Sequence, residues 1–366
     1  MKRDGYCLTL WPSISMLMPP LAPLLRGGLK KCPRRHNRMS RIRWGIVGSG
    51  YIARKMAEAL AVLPDAELTA IGSRSYERAD AFGQEFDVPH RLESYEDVAT
   101  CEDVDVVYIA TPHTRHLQDA TTALRAGKAV LCEKPLTVNT REAATLIAEA
   151  RANKAFLMEA MWTRFVPAVV KLREWIDAGV IGEIRLITAD IGWCQPYDPQ
   201  SRLYNRDLAG GALLDIGIYP VSLASMLLGA PSDVAGVMHA APTGVDAQCA
   251  ASLVYPSGAV ATFAATIQAE TPREALIVGT DGWIRISSQM THPEALTRGG
   301  PGRREETVTF PLLGNGYTHE AIEVMACLRS GRLESTIMPL GESLGIMKTM
   351  DSLRAQWGLQ YAADDA

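Results

Sequence analysis

From Arg43 onward, apolar runs bounded by turn residues alternate with stretches of helical period. That alternation is the pattern of βαβ units around a parallel sheet. Trp44–Val47 reads as a first strand and 52–61 as the helix after it. Leu68–Gly72 is a second strand, followed by a helix over 78–85. Residues 104–110 (VDVVYIA) are almost wholly apolar and rich in valine and isoleucine, which predicts a strand buried on both faces. A helix over 117–126 closes at Gly127, a natural C-terminal stop. A strand at 129–132, a helix over 140–153 and a short strand at 155–158 complete the first rhythm.

The pattern then changes. After a helix near 168–177, stopped by Gly179, apolar segments recur at 184–191, 247–254, 259–267 and 275–278, with Pro256-Ser257-Gly258 as a hairpin turn. This predicts a mostly antiparallel sheet with helices on one face. Two final helices, 320–329 and 341–357, are expected to pack back on the rest. The fold class is α/β: an N-terminal Rossmann domain over 41–161 and a C-terminal α/β domain over 162–366 with a large, open, mostly antiparallel sheet.

Residues 1–40 differ. The apolar part is broken by Pro12, Pro19, Pro20 and Pro23, and a basic stretch follows it, the reverse of a twin-arginine signal. A disordered extension, or an upstream start with Met39 as the initiator, is expected rather than a targeting segment. The 366-residue length favours two domains. Apolar residues at 47% and charged ones at 21%, with net charge −4, fit a globular chain and offer no basic face for nucleic acid. No uninterrupted apolar run reaches bilayer length, so no membrane partner is expected. The seven cysteines are scattered, without C-x-x-C pairs, which argues against a zinc site or a disulfide framework and fits a cytoplasmic protein. No metal is expected.

The candidate chemistry lies at strand ends. Gly48-Ser49-Gly50-Tyr51-Ile52-Ala53 is a G-x-G-x-x-A turn between a predicted strand and helix. Gly48 permits the tight turn, Gly50 the approach of a pyrophosphate, and Ala53 close helix–strand contact. The helix start supplies free amides and positive dipole. At the tip of the second strand, where NAD enzymes usually carry a carboxylate, stand Ser73 and Arg74. A hydroxyl and a guanidinium suit a 2′-phosphate, so NADP(H) is the expected cofactor, with NAD(H) weaker. Thr111, Pro112 and His116 follow the third main strand, and Glu133-Lys134-Pro135 the fourth, so both loops should face one crevice. Lys134 there would supply charge where an alkoxide develops. In Gly210–Pro220, a helix would place Asp215 and Tyr219 on one face. Tyr219 is a poor base alone, and Lys134 with an oxidised nicotinamide would lower its pKa. Asp215 capping the Tyr219 hydroxyl is the alternative.

The segments GSGYIA, TPHTRH, CEKPL, MEAMWTRFVP and GGALLDIGIYP, in this order, resemble the Gfo/Idh/MocA oxidoreductase family, and most closely its dihydrodiol and NADP-dependent D-xylose dehydrogenase branch. The resemblance spans about residues 41–360, including Glu320-Ala321 and Met350-Asp351. It implies Lys134 as the catalytic lysine, Asp215 as its acidic partner, Tyr219 as general acid/base, Trp162 in the substrate pocket, and a homodimer formed through the C-terminal sheet. Many members carry His at the position of Tyr219, a departure that favours this branch. The implied substrate is a sugar or cyclic diol carrying a secondary alcohol. The alternative is a non-catalytic dinucleotide-binding regulator of the same family.

Overall fold

The computed structural model describes residues 41–287 and 289–365. The expectation for the N-terminal extension lies outside the described residues. The described residues form one compact unit.

The first sheet contains β1 (Ile42–Val47), β2 (Ala66–Gly72), β3 (His90–Leu92), β4 (Val106–Ile109), β5 (Ala129–Glu133) and β6 (Leu157–Ala160). All pairings are parallel, and the spatial order is β3-β2-β1-β4-β5-β6, the Rossmann order. The helices α1 (Tyr51–Ala61), α2 (Tyr76–Glu85), α3 (Tyr95–Thr100), α4 (His116–Arg125) and α5 (Thr140–Ala152) link them. Every side chain of β4 and β5 is buried, as strands covered on both faces require. The strand order reverses between β1 and β4, so the loops after β1, β4 and β5 meet at the switch point where such sheets bind ligands.

After α6 (Pro167–Asp177) comes an eight-stranded sheet: β7 (Ile184–Gly192), β8 (Asp233–Ala240), β9 (Asp246–Val254), β10 (Val260–Thr266), β11 (Ala275–Gly279), β12 (Trp283–Ile286), β13 (Ala295–Gly300) and β14 (Arg303–Thr309). Its order is β14-β13-β12-β11-β7-β10-β9-β8, antiparallel except for the β7–β10 pair. The hairpin expected at Pro256–Gly258 joins β9 and β10. Helix α7 (Ile218–Leu228) packs on β7 and β10, α8 (Thr318–Arg329) on α1, and α9 (Leu340–Trp357) on α5, β6, α7 and β8. The last two helices thus return to the first sheet, as anticipated.

The sequence pattern missed β3, α3, β8 and β12–β14. β14 reads RREETVT and lies at a sheet edge, where charge replaces the apolar alternation. β8 has no fully buried residue, so its alternation is faint. Arg206–Leu228, 23 residues interrupted by Asp207 and Asp215, holds an 18-residue window of mean hydropathy 1.6, apolar enough to cross a bilayer by length and composition. Of that window 78% is buried within the protein, so its apolar character belongs to a core segment.

Candidate active site

The dinucleotide turn is shaped by what its residues lack. Gly48 has φ +101°, and a Cβ there would lie 2.7 Å from the Ala110 carbonyl oxygen, so only glycine fits the approach of β1's end to β4's. Gly50 faces open space instead. No side chain caps α1, whose first amides, of Tyr51, Ile52 and Ala53, precede the Arg54 N–H to Gly50 carbonyl bond. Ala53 is fully buried against the sheet, and Tyr51 is 75% exposed at the rim. This cradle of open space, free amides and helix dipole fits a dinucleotide pyrophosphate. At the β2 tip, buried Ser73 shares a 3.0 Å hydrogen bond with Ser49, while Arg74 beside it is exposed. The Ser73 hydroxyl therefore anchors the turn, and Arg74 is the group free to meet a phosphate.

Thr111, Pro112 and His113 follow β4. Thr111 is buried with its Oγ1 unpartnered among the described residues. His116 is fully buried, each ring nitrogen 2.9 Å from a carbonyl: Nδ1 from Pro135, Nε2 from Thr111. It clamps the β4 and β5 loops together rather than facing the crevice, which revises its expected contact with cofactor. Glu133 is similarly internal: one carboxylate oxygen accepts a short hydrogen bond from the Tyr108 hydroxyl and the other accepts from the Lys134 amide at 3.0 Å. Burial raises its pKa despite the Lys134 cation beside it.

Around Lys134 the expected residues converge. Its Nζ donates to the Asp215 main-chain carbonyl at 2.6 Å and to Asp215 Oδ1 at 3.4 Å, and it lies 4.9 Å from the centre of the Tyr219 ring. Burial disfavours its charge, but Asp215, Tyr219 and Glu133 more than compensate and its pKa is raised. Arg202, from the loop after β7, gives Asp215 two further bonds, 2.7 Å to Oδ1 and 3.3 Å to Oδ2. Burial alone would raise the Asp215 pKa; the Lys134 and Arg202 cations hold it well below the usual carboxylate range. His113 Nε2 lies 4.0 Å from Asp215 Oδ1. Burial, then His116 nearby, lowers the His113 pKa to about 3, so it is neutral at physiological pH.

Tyr219 differs from both sequence readings. Asp215 does not cap its hydroxyl: Leu213–Gly217 is a π-helical turn, so four residues no longer bring side chains to one α-helical face, and Asp215 turns to Lys134 and Arg202. The hydroxyl instead accepts from Trp162 Nε1 at 3.3 Å. Burial also raises the Tyr219 pKa, and the Lys134 cation and the Trp162 bond only partly oppose it. Trp162 is stacked by Tyr317 (centroids 4.2 Å) and His292 (5.4 Å) and is 6% exposed. It has little ring face to offer a substrate; its indole N–H serves Tyr219.

Arg202, His292 and Tyr317 were missed by sequence reasoning. Each lies in a loop far along the chain, and no local spacing points from them to Lys134.

Matches to known families agree with this geometry. Residues 42–161 match a model described as oxidoreductase family, NAD-binding Rossmann fold, and residues 169–285 match the GFO/IDH/MocA C-terminal domain. The chain belongs to the Gfo/Idh/MocA oxidoreductase family. It is an NAD(P)-dependent oxidoreductase of the dehydrogenase and reductase kind. Within the family it is 38% identical over 335 residues to trans-1,2-dihydrobenzene-1,2-diol dehydrogenase of Mus musculus, covering 88% of this chain and 99% of that one. A 3-ketoreductase from Actinomadura kijaniata, solved with NADP and TDP-benzene, superposes with TM-score 0.77 at 30% identity, covering 86% and 98%. An aldose–aldose oxidoreductase from Caulobacter crescentus gives TM-score 0.78 at 25% identity, covering 89% and 98%.

Proposed function

We propose that this protein transfers hydride between NADP(H) and a secondary alcohol borne on a ring, a cyclic diol or an aldose. The observation that carries the reading is the buried meeting of Lys134, Asp215 and Tyr219 beside the switch-point crevice. The nicotinamide, when bound, takes or returns a hydride at C4. Lys134, kept cationic by Asp215, holds the reacting oxygen and stabilises negative charge on it. Tyr219 exchanges the hydroxyl proton. Its raised pKa keeps the phenol protonated near neutral pH, which suits proton donation to a carbonyl undergoing reduction. Trp162, donating to the same oxygen, supports the phenolate left behind. Arg202 and Asp215 lock the lysine's direction.

The cofactor preference rests on Arg74, exposed at the β2 tip where a carboxylate would select NAD. NADP in the Actinomadura relative's structure supports it. The ring-alcohol class is supported by the dihydrodiol dehydrogenase relatives and the aldose oxidoreductase neighbour. Purified protein is assayed by NADPH absorbance against trans-dihydrodiols, D-xylose, D-glucose, inositols and the matching ketones. Turnover of a ring alcohol, with higher kcat/KM for NADP(H) than NAD(H), is expected. Turnover of none of them, or a preference for NAD(H), refutes the corresponding half of the reading.

A further inference from the structure

The start of α4 carries a residue that local structure does not call for. Arg115 is its N-cap residue, at the end of the turn His113–Arg115, and makes no cap hydrogen bond. Ser, Thr, Asp or Asn is usual at such a position, and the positive end of a helix disfavours a cation. The arginine is nevertheless held in one orientation. Its Nε and one terminal nitrogen donate to the two carboxylate oxygens of Asp119, at 3.2 and 2.6 Å. The Asp119 side chain is 3% exposed, which makes it a fixed anchor, while that of Arg115 stays 39% exposed. The guanidinium lies over the Tyr95 ring, 5.2 Å from its centre.

Tyr95, the first residue of α3, is fixed in turn. Ser94 caps α3 by accepting the Asp97 N–H at 3.0 Å. This cap packs directly on the end of β2, where a Cβ added to Gly72 would lie 2.8 Å from the Ser94 carbonyl oxygen. Burial raises the pKa of the Tyr95 hydroxyl, and the Arg74, Arg115 and Arg78 cations oppose it, so the charges of the β2 tip reach the ring that Arg115 covers. The β2 tip and the starts of α3 and α4 thus meet at a clamped guanidinium backed by an aromatic ring.

With the nicotinamide beside Lys134 and the pyrophosphate at Gly48–Ala53, the adenosine half of the dinucleotide runs the other way, towards these three ends. We propose that Arg115, backed by Tyr95 and clamped by Asp119, is the platform on which the adenine ring stacks. A guanidinium plane takes an aromatic face, and one already clamped loses little freedom in doing so. The 2′-phosphate is left to Arg74, so the platform serves NADPH and NADH alike. The proposal rests on the placement of the nicotinamide beside Lys134, but its test is binding and needs no turnover.

NADPH, NADH and ADP-ribose, which has the adenine but no nicotinamide, are titrated calorimetrically into wild type, R115A and R115K. R115A is expected to weaken all three by a similar factor of about 5–30, the range of a cation–π contact. R115K keeps the charge without the plane and is expected to lose nearly as much. A loss confined to NADPH makes Arg115 a second phosphate ligand and overturns the proposal. Wild-type affinities in R115A or in R115K overturn it as well; R115K keeps the aliphatic stem and decides alone should R115A fail to fold. A loss with NADPH and NADH but not with ADP-ribose puts the nicotinamide at Arg115 and refutes both the platform and the placement beside Lys134. The expected losses in a protein that turns over no ring alcohol leave the platform intact and refute the proposed reaction instead.

Discussion

At the scale of single residues, charge placement does most of the chemical work. Arg74, exposed at a strand tip, is the residue on which the proposed preference for NADP(H) rests. A charge-assisted bond to a 2′-phosphate contributes about 1.5–3 kcal/mol, so Arg74→Ala should cost roughly 10–100-fold in kcat/KM with NADPH. The NADH reaction should barely change, and steady-state kinetics with both cofactors checks the difference. Equal losses with both would place Arg74 elsewhere in the mechanism. The meeting of Lys134, Asp215 and Tyr219 was legible in the sequence because each sits in a short motif at a strand or helix end. Arg202 and Tyr317 were not, since chain reversals bring their distant loops to Asp215 and Trp162. The Trp162–Tyr219 bond was equally hidden: the resemblance implies Trp162 in the substrate pocket, and only the structure shows its ring faces covered by Tyr317 and His292.

At the scale of elements, the strands of the first sheet were readable because they are buried on both faces. The edge strands of the second were not, because water takes one or both of their faces. The sequence suggests a helix within Gly210–Pro220; the structure has a π-turn, Leu213–Gly217, that runs into α7. Apolar periodicity does not separate them, yet the difference decides where Asp215 points. Asp246, which accepts the Leu213 N–H at the head of this π-turn, also titrates. Burial raises Asp246 from its ordinary 3.8 to about 7. A carboxyl whose folded pKa lies above its unfolded one holds more protons when folded, so its stabilising contribution is complete below about pH 4 and is lost as pH rises through 7. Asp246→Asn cannot ionise and keeps the cap. It should therefore melt higher than wild type at pH 8, with the gap closing towards pH 4, in thermal scans at both pH values. A gap independent of pH would show that Asp246 carries no such penalty.

At the scale of the whole molecule, the C-terminal helices brace the site. Asn315, before α8, donates to the Lys55 carbonyl of α1 at 2.8 Å, and Tyr317 then covers Trp162. Buried Arg354 of α9 binds Asp351 and Asp364, and Tyr361 reaches Gly210. The chain's last turn thus braces the turn that carries Asp215, while α8 braces the tryptophan that serves Tyr219. Preorganisation of this kind concentrates the effect of a substitution at Lys134 on chemistry rather than on binding. The central claim is that this lysine acts on the reacting oxygen, and Lys134→Met tests it most directly, by NADPH fluorescence titration alongside turnover of the best ring alcohol. The account predicts near-normal NADPH binding with turnover abolished; turnover retained at a rate near wild type would contradict it.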